Sequence, residues 1–510
     1  DEQAVIHDAV GNNPVTIVST SKSNIQTQTH KHQQYDYWGS QNLHYLLIVL
    51  TLVVMMSVWF GEGLNSRPRA GAVCVLFVAA LFVLRSLKVG LLAITLMCLL
   101  GSSAMWRSHS EWAAVHEVRT GSYEGYAKLI SDPQPVGRAV RVVLEIEGQR
   151  FECWTYGGMK WRMMARVAGE GVTVQGERRF VTSANKRRLF VRHIVGRFEV
   201  TAVSEIATGS HIVESRFELA ANRVRAALGE GARTLPSDQA TLFAGLVYGD
   251  DSQQPPAMVE RFRGSGLAHL TAVSGQNVAF VLAVVAPMLT RLRRWSRLTM
   301  TLLVLIWFAT MTRLEPSVIR AVTMAGISAS VLAIGGRFKA WQVLATTCVV
   351  LLLIDPFLLW SVGWWLSVGG SSGLIVLSSR IRSALECRGL KGREWVLNWV
   401  VPSLAAQLGV LPFIVLVFGW PSAMSIPCNL LAVPIAGVVM LIGIPMALGA
   451  GFAPNAVAEI VMWPLGIAVK WIDTVAALGH HLNPPIWLDV FVALVPIVLL
   501  LMHRCGNLET

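Results

Sequence analysis

Apolar runs long enough to cross a lipid bilayer recur along this chain, and no other feature restricts its fold so much. About 17–25 mainly apolar residues cover the hydrocarbon core as a helix, whose backbone hydrogen bonds are satisfied within the segment. Residues 43–60, 70–84 and 89–106 form a first group of three such runs. By the same length criterion, roughly nine more run from near Leu267 to near Met502, so about twelve transmembrane helices are expected. Only 15% of residues are charged, against about a quarter in soluble domains. The fold class expected is therefore a polytopic α-helical membrane protein. The polar residues 1–42, rich in Gln, Ser, Thr and His, read as a disordered tail without signal-peptide features, and 506–510 as a short C-terminal tail.

The interruption at 107–205 has a different period. "RVVLEIEGQRFECWTY" alternates apolar and polar residues on either side of Glu147-Gly148-Gln149, the pattern of a β-hairpin. "GVTVQGERRFV" and "RRLFVRHIVGRFEVTAV" repeat the period of two. Short strands and glycine turns in one segment predict an inserted small β-barrel, OB-like in its leading form. The next segment, 206–236, places Val213, Phe217, Ala221, Val224 and Leu228 at helical spacing, as in a helix lying on a membrane surface or packed on the barrel. Basic loops at 291–297, 336–341 and 379–393 place those ends in the cytoplasm by the positive-inside rule. Counting crossings from them puts the β domain on the outer face of the cytoplasmic membrane and the C-terminus inside.

The 237–505 segment holds polar groups that hydrocarbon disfavours. Residues 266–288 open with His269, Thr271, Ser274, Gln276 and Asn277 before becoming almost purely apolar, and Arg320, Ser403, Gln407, Asn429 and Asp355 sit in or beside later runs. An unpaired arginine costs about 2.5–3.5 kcal/mol at a helix centre. Such groups turn towards a bundle interior or a wet cavity. Individually each has a structural role open to it: Asp355 can cap a helix end and Gln407 can bond a neighbour. Together, in five segments, they point to a shared polar path. Pro402, Pro412, Pro427, Pro434 and Pro445 are read as interrupting consecutive spans, as in transport sites.

In family order, "LVYGDDSQQPPAMVERFRGSGLAHLTAVSGQNVAFVLAVV", "PSVIRAVTMAG", "IDPFLLWSVGWWLSVGGSSGL" and "AAQLGVLPFIVLVFGWPSAMSIPCNLLAVPIAGVV" resemble the motifs of the ComEC competence-protein family. The resemblance implies a channel carrying one strand of DNA across the cytoplasmic membrane in natural transformation, with the β domain as its extracellular DNA-contacting OB fold. It implies His269, Ser274, Gly275, Arg320, Asp355, Gln407 and Asn429 as motif residues of the channel. To these Asn277 is added, three residues from Ser274 and so on nearly the same helix face. The chain has Gln276 and Asn277 where many members have Leu-His after Ser-Gly. It lacks the HxHxDH cluster of the nuclease-like domain found in many members.

Single-strand capture needs phosphate neutralisation and base stacking. Trp154, Tyr156 and Trp161 lie near Arg162 and Arg166, and Arg178, Arg179, Lys186, Arg187, Arg188 and Arg192 form a second basic group, all candidates for DNA contact. The net charge of +12 suits a nucleic acid or anionic lipid partner, although cytoplasmic loops alone make membrane proteins basic. No GxxxxGK[ST] loop is present, so an ATP-driven cytosolic translocase is expected as partner, with an extracellular DNA receptor and a separate nuclease. The seven cysteines include no CxxC pair, and no metal, cofactor or catalytic residue is expected. A transporter of a small solute or lipid, or an intramembrane hydrolase using Ser274 with His269, are the competing readings.

Overall fold

The computed structural model describes residues 46–62, 91–181, 186–204, 216–271, 275–387, 392–482 and 487–491. The expected span at 70–84 and the last one near Met502 lie outside them. Helix α1 (Leu46–Gly61) pairs with α2 (Leu91–His116), where the Ser108 hydroxyl donates to the Val58 carbonyl at 2.7 Å. Helix α2 runs past the expected boundary at 106 because its last turns are amphipathic. Trp112 and Val115 are buried in the core of the β domain, so this helix is a stem shared by the two parts.

The β domain contains β1 (Gly121–Leu129), β2 (Gln134–Val136), β3 (Ala139–Ile146), β4 (Gln149–Thr155), β5 (Gly171–Phe180) and β6 (Ile194–Ser204). Alternation decides their faces. On β3, Val140, Val142, Leu144 and Ile146 point inward while Arg141, Val143 and Glu145 face out. The β3–β4 turn is Glu147-Gly148, with φ of 50° and 78°, a two-residue hairpin of the expected kind. Pairing runs β1-β5-β6-β4-β3 and closes through β3 onto β1, giving a five-strand barrel with β2 as an edge addition. β4 and β6 pair in parallel, and α3 (Gly157–Met164) joins β4 to β5. The strand expected from "RRLFVR" is instead a short helix, α4 (Lys186–Phe190). Leu189 and Phe190 are consecutive and both buried, which strict alternation does not allow.

The bundle follows: α5 (Arg216–Ala232), α6 (Ser237–Tyr248), α7 (Pro256–Gly264), α8 (Gly275–Leu289), α9 (Arg294–Met311), α10 (Pro316–Ala333), α11 (Ala340–Ile354), α12 (Val362–Leu385), α13 (Glu394–Phe418), α14 (Ser425–Gly451) and α15 (Asn455–His481). Among the described residues, α10, α13, α14 and α15 are long and apolar enough to cross a membrane; α1, α8 and α11 are shorter apolar helices. The structure thus supports four such spans among the described residues, not the expected count of about twelve. The apolar stripe of α5 (Ala221, Leu228, Ala232) is buried against α14 and α9, so contacts within the protein account for its amphipathic pattern.

Pro402 and Pro412 lie inside α13, and Pro434 and Pro445 inside α14, without ending either helix. The expected helix breaks are therefore absent there. Each proline removes one backbone donor, which a packed helix tolerates at membrane depth. Helices α12 and α13 meet through glycines: a Cβ on Gly409 would fall 2.2 Å from the Gly369 carbonyl oxygen, and one on Gly373 2.2 Å from that of Ala405. Such close backbone approach is the usual basis of helix association in lipid.

Candidate functional site

One carboxylate gathers several of the bonds between the barrel and the bundle. Asp132, in the β1–β2 connection, accepts from Arg313 Nη2 (2.8 Å) and Ala168 N (2.9 Å) on Oδ1, and from Arg313 Nε and Arg225 Nη2 (both 2.9 Å) on Oδ2. Arg225, buried on α5, also pairs with Asp250 at 3.1 Å and donates to the carbonyls of Tyr248 and Met311. Burial alone would raise the Asp132 carboxyl. The Arg313 hydrogen bond, the charges of Arg225 and Arg313, and the Ala168 amide outweigh burial and hold it below its usual range. A second contact joins His193 Nε2 to Asp355 Oδ2 at 3.2 Å, beside the edge-to-face packing of His193 on Phe357. These attachments put the barrel at the end of the bundle where α10 begins.

One turn into α10, Arg320 is buried. Its Nε donates to Ser367 Oγ at 2.5 Å and its Nη1 to Ser371 Oγ at 2.7 Å, both on α12, and Nη1 lies 3.2 Å from Met324 Sδ. Its Nη2 would stand 3.2 Å from a Cβ on Gly275, at the start of α8. Among the described residues no carboxylate pairs with it, Glu315 included. Ser367 and Ser371, four apart in an apolar helix, carry the same spacing signal as Ser403 and Gln407, but sequence reasoning did not select them.

The other expected channel residues are more dispersed. Asn277 is buried and its Nδ2 donates to the Leu246 carbonyl at 2.9 Å, tying α8 to α6. His269 is exposed in the short turn Ala268–Leu270. Asp355 caps the 3-10 turn Pro356–Trp360 by accepting from Phe357 N at 2.9 Å, which is the structural role open to it from sequence. Gln407 Nε2 and Asn429 Oδ1 are buried with no hydrogen-bond partner among the described residues. Neither is bonded to the Arg320 group, and Ser274 lies outside the described residues. The structure brings Arg320 to Gly275 and to the serines of α12, while Asn277 bonds to α6 and Asp355 caps its own turn.

The candidate DNA contacts on the barrel separate into four groups. Tyr156 and Trp161 are well exposed on and beside α3, where Lys160 lies over the Trp161 ring at 5.5 Å and Arg162 donates to the Val203 carbonyl at 2.8 Å; Arg166 lies nearby, half-buried. Arg178 pairs with Glu147 (2.9 Å), and Arg179 with Glu177 and Glu199 (both 2.8 Å), so these two guanidiniums are already neutralised. Lys186 rests over the Phe190 ring, and Arg187 reaches Glu62 at 3.1 Å. Trp154, Arg188 and Arg192 lie on the side nearest the bundle, with Arg141, which sequence reasoning missed, opposite Trp154 in the β3–β4 register.

The family model described as "Competence protein" matches residues 246–505, about half of the chain. ComE operon protein 3 of Bacillus subtilis (strain 168) is 30% identical over 224 residues, covering 41% of this chain and 27% of that protein. The uncharacterized protein YcaI of Escherichia coli (strain K12) is 26% identical over 226 residues, covering 41% and 28% respectively. The matched stretches thus span less than a third of either curated relative. No solved structure matches.

Proposed function

The chain belongs to the competence protein family, and from that premise we propose that it is a channel conducting single-stranded DNA across the cytoplasmic membrane during DNA uptake. The observation that carries this reading is the attachment of a basic barrel, through Asp132, to the end of the bundle from which Arg320 is reached one turn inward. The strand order β1-β5-β6-β4-β3, with β4 and β6 parallel, supports reading the barrel as an oligonucleotide-binding fold. Loop 291–297, with its arginines, lies at the opposite end of α9 from the barrel, which supports an outer position for the barrel.

Within the bundle a strand's phosphates need fixed dipoles or water, and few fixed charges, so that binding stays weak enough for release. Arg320 held by two serine hydroxyls, with Gln407 Nε2 and Asn429 Oδ1 left without partners among the described residues, suits that balance. Energy and strand selection come from partners: an outer DNA receptor, a cytosolic ATP-driven translocase and a separate nuclease. The test is import of end-labelled DNA into a nuclease-protected pool, in a naturally transformable host whose own family member is deleted. Restored import supports conduction; a membrane-inserted chain that restores none refutes it.

A further inference from the structure

Lys470 and Asp473 stand in the later half of α15, a helix apolar enough to cross a membrane, where a charge is costly unless something answers it. Asp473 is answered: its Oδ1 accepts from Arg261 Nη2 of α7 at 2.8 Å. The Lys470 side chain has no ion pair or hydrogen bond among the described residues. One turn before it, Gly466 lets the start of α6 come close. A Cβ there would lie 3.1 Å from Leu235 Cδ2 and 3.2 Å from Gln239 Oε1. Between the two helices is a cavity of about 280 Å³, lined by Ser237, Asp238, Gln239 and Leu242 of α6 and by Lys470 and Asp473. Asp238, like Lys470, has no side-chain partner among the described residues. The cavity therefore presents one unanswered cation, one unanswered anion and a second carboxylate that is already paired.

Its surroundings select the kind of molecule that reaches it. Trp463, Ile467 and Trp471, all exposed, follow one another at four-residue spacing around Lys470, and on a membrane-crossing helix such a side meets lipid. The α5–α6 turn beside the cavity carries Arg233, exposed and paired with exposed Glu230 at 2.6 Å, a pair that belongs in water. The cavity thus lies where hydrocarbon gives way to water, the depth of lipid headgroups and of interfacial tryptophans.

We propose that this cavity binds the headgroup of a zwitterionic phospholipid with a primary ammonium, phosphatidylethanolamine. Lys470 and the Ser237 hydroxyl hold the phosphate, Asp238 and the free oxygen of Asp473 accept from the ammonium, and the acyl chains lie against the exposed side of α15. Lys470 balances Asp238 and Arg261 balances Asp473, so a zwitterion leaves the site neutral. An anionic headgroup would leave Asp238 unanswered, and a quaternary ammonium has no N–H to donate. The volume is just under the ~300–1,000 Å³ of sites that enclose whole small ligands, so the headgroup enters and the chains stay outside. The inference is independent of DNA conduction and needs only that the bundle sits in a bilayer.

The test is native mass spectrometry of the full chain in detergent, titrated with phosphatidylethanolamine, phosphatidylcholine and phosphatidylglycerol of identical chains. The unaltered chain should bind phosphatidylethanolamine several-fold more tightly than the other two. Lys470→Gln should weaken that binding roughly tenfold, the loss of one charged hydrogen-bond donor. Asp238→Asn should raise phosphatidylglycerol binding several-fold, a gain that a damaged fold does not produce. Arg233→Gln, beside the cavity but outside its lining, should bind all three as the unaltered chain does. Equal binding of the three lipids, unchanged binding in Lys470→Gln, or no gain in Asp238→Asn overturns the proposal. Glycerophosphoethanolamine, the same headgroup without chains, should not displace the lipid at equal concentration; displacement overturns the lipid as the source of that headgroup.

Discussion

Replacing Asp132 with alanine should loosen the barrel from the bundle without unfolding either. The carboxylate takes four donors, from Arg313, Arg225 and the Ala168 amide. Without it, Arg225, 9% exposed, keeps Asp250 and two carbonyls, whereas Arg313, 16% exposed, keeps only the Ala168 carbonyl at 3.4 Å. Stranding one partner of a buried ion pair costs about 3–5 kcal/mol, and the surviving Asp250 contact argues for the lower end. About 3 kcal/mol corresponds to a rise of roughly 10²-fold in the undocked population. Amide hydrogen exchange around Arg225 on α5 and in the Arg313–Glu315 turn reads that population. Acceleration on that scale, with the barrel strands still protected, is expected. Exchange within threefold of the unaltered chain would refute the idea that Asp132 is the principal attachment. Because its carboxyl is depressed, its contribution is present above the unfolded-state value and is lost only as pH falls through the lower folded value. Docking should therefore hold from neutral into mildly acid solution.

Gly409→Leu should separate α12 from α13, since even a Cβ meets the Gly369 carbonyl at 2.2 Å; overpacking of about 1–3 kcal/mol should appear as a lower melting temperature in detergent. Phe151→Ala, at the fully buried centre of the barrel, should cost about 3–5 kcal/mol in barrel unfolding monitored by denaturant titration. Burial raises the Glu315 carboxyl, as does the neighbouring Asp251 charge, and burial and Asp250 raise that of Asp251. Both acids should thus discharge before ordinary carboxylates as pH falls. A carboxyl-resolved NMR titration of the full chain should place both midpoints above the ordinary carboxylate range, and midpoints within that range would refute it.

The barrel was legible because period-two burial leaves its mark on the strands: β3 holds its alternation and turns into β4 through the two-residue turn read from the sequence. The α4 turn was not, because Arg187, Arg188, Leu189 and Phe190 can be read as a strand until two consecutive residues are found buried. Arg320 stood out as a charge in an apolar run, but its serine partners carry no charge and so drew no notice. Asp132, Arg225 and Arg313 were illegible for another reason. Each lies in a segment where a charge is unremarkable, and only the fold brings residues 93 and 181 positions away onto one carboxylate. Asp355, selected as a channel residue, turned out to be placed by a local rule, the capping of the turn that follows it.

The central claim is that the polar side chains of the bundle border one hydrated path, and accessibility to a water-borne reagent tests it most directly. In a functional chain with its native cysteines replaced, Ser371→Cys, Gln407→Cys and Asn429→Cys would be treated with a charged, membrane-impermeant methanethiosulfonate. All three should react at rates well above a lipid-facing site, and oligothymidylate should slow the reaction. Three inert thiols in a chain that still imports DNA would contradict the claim.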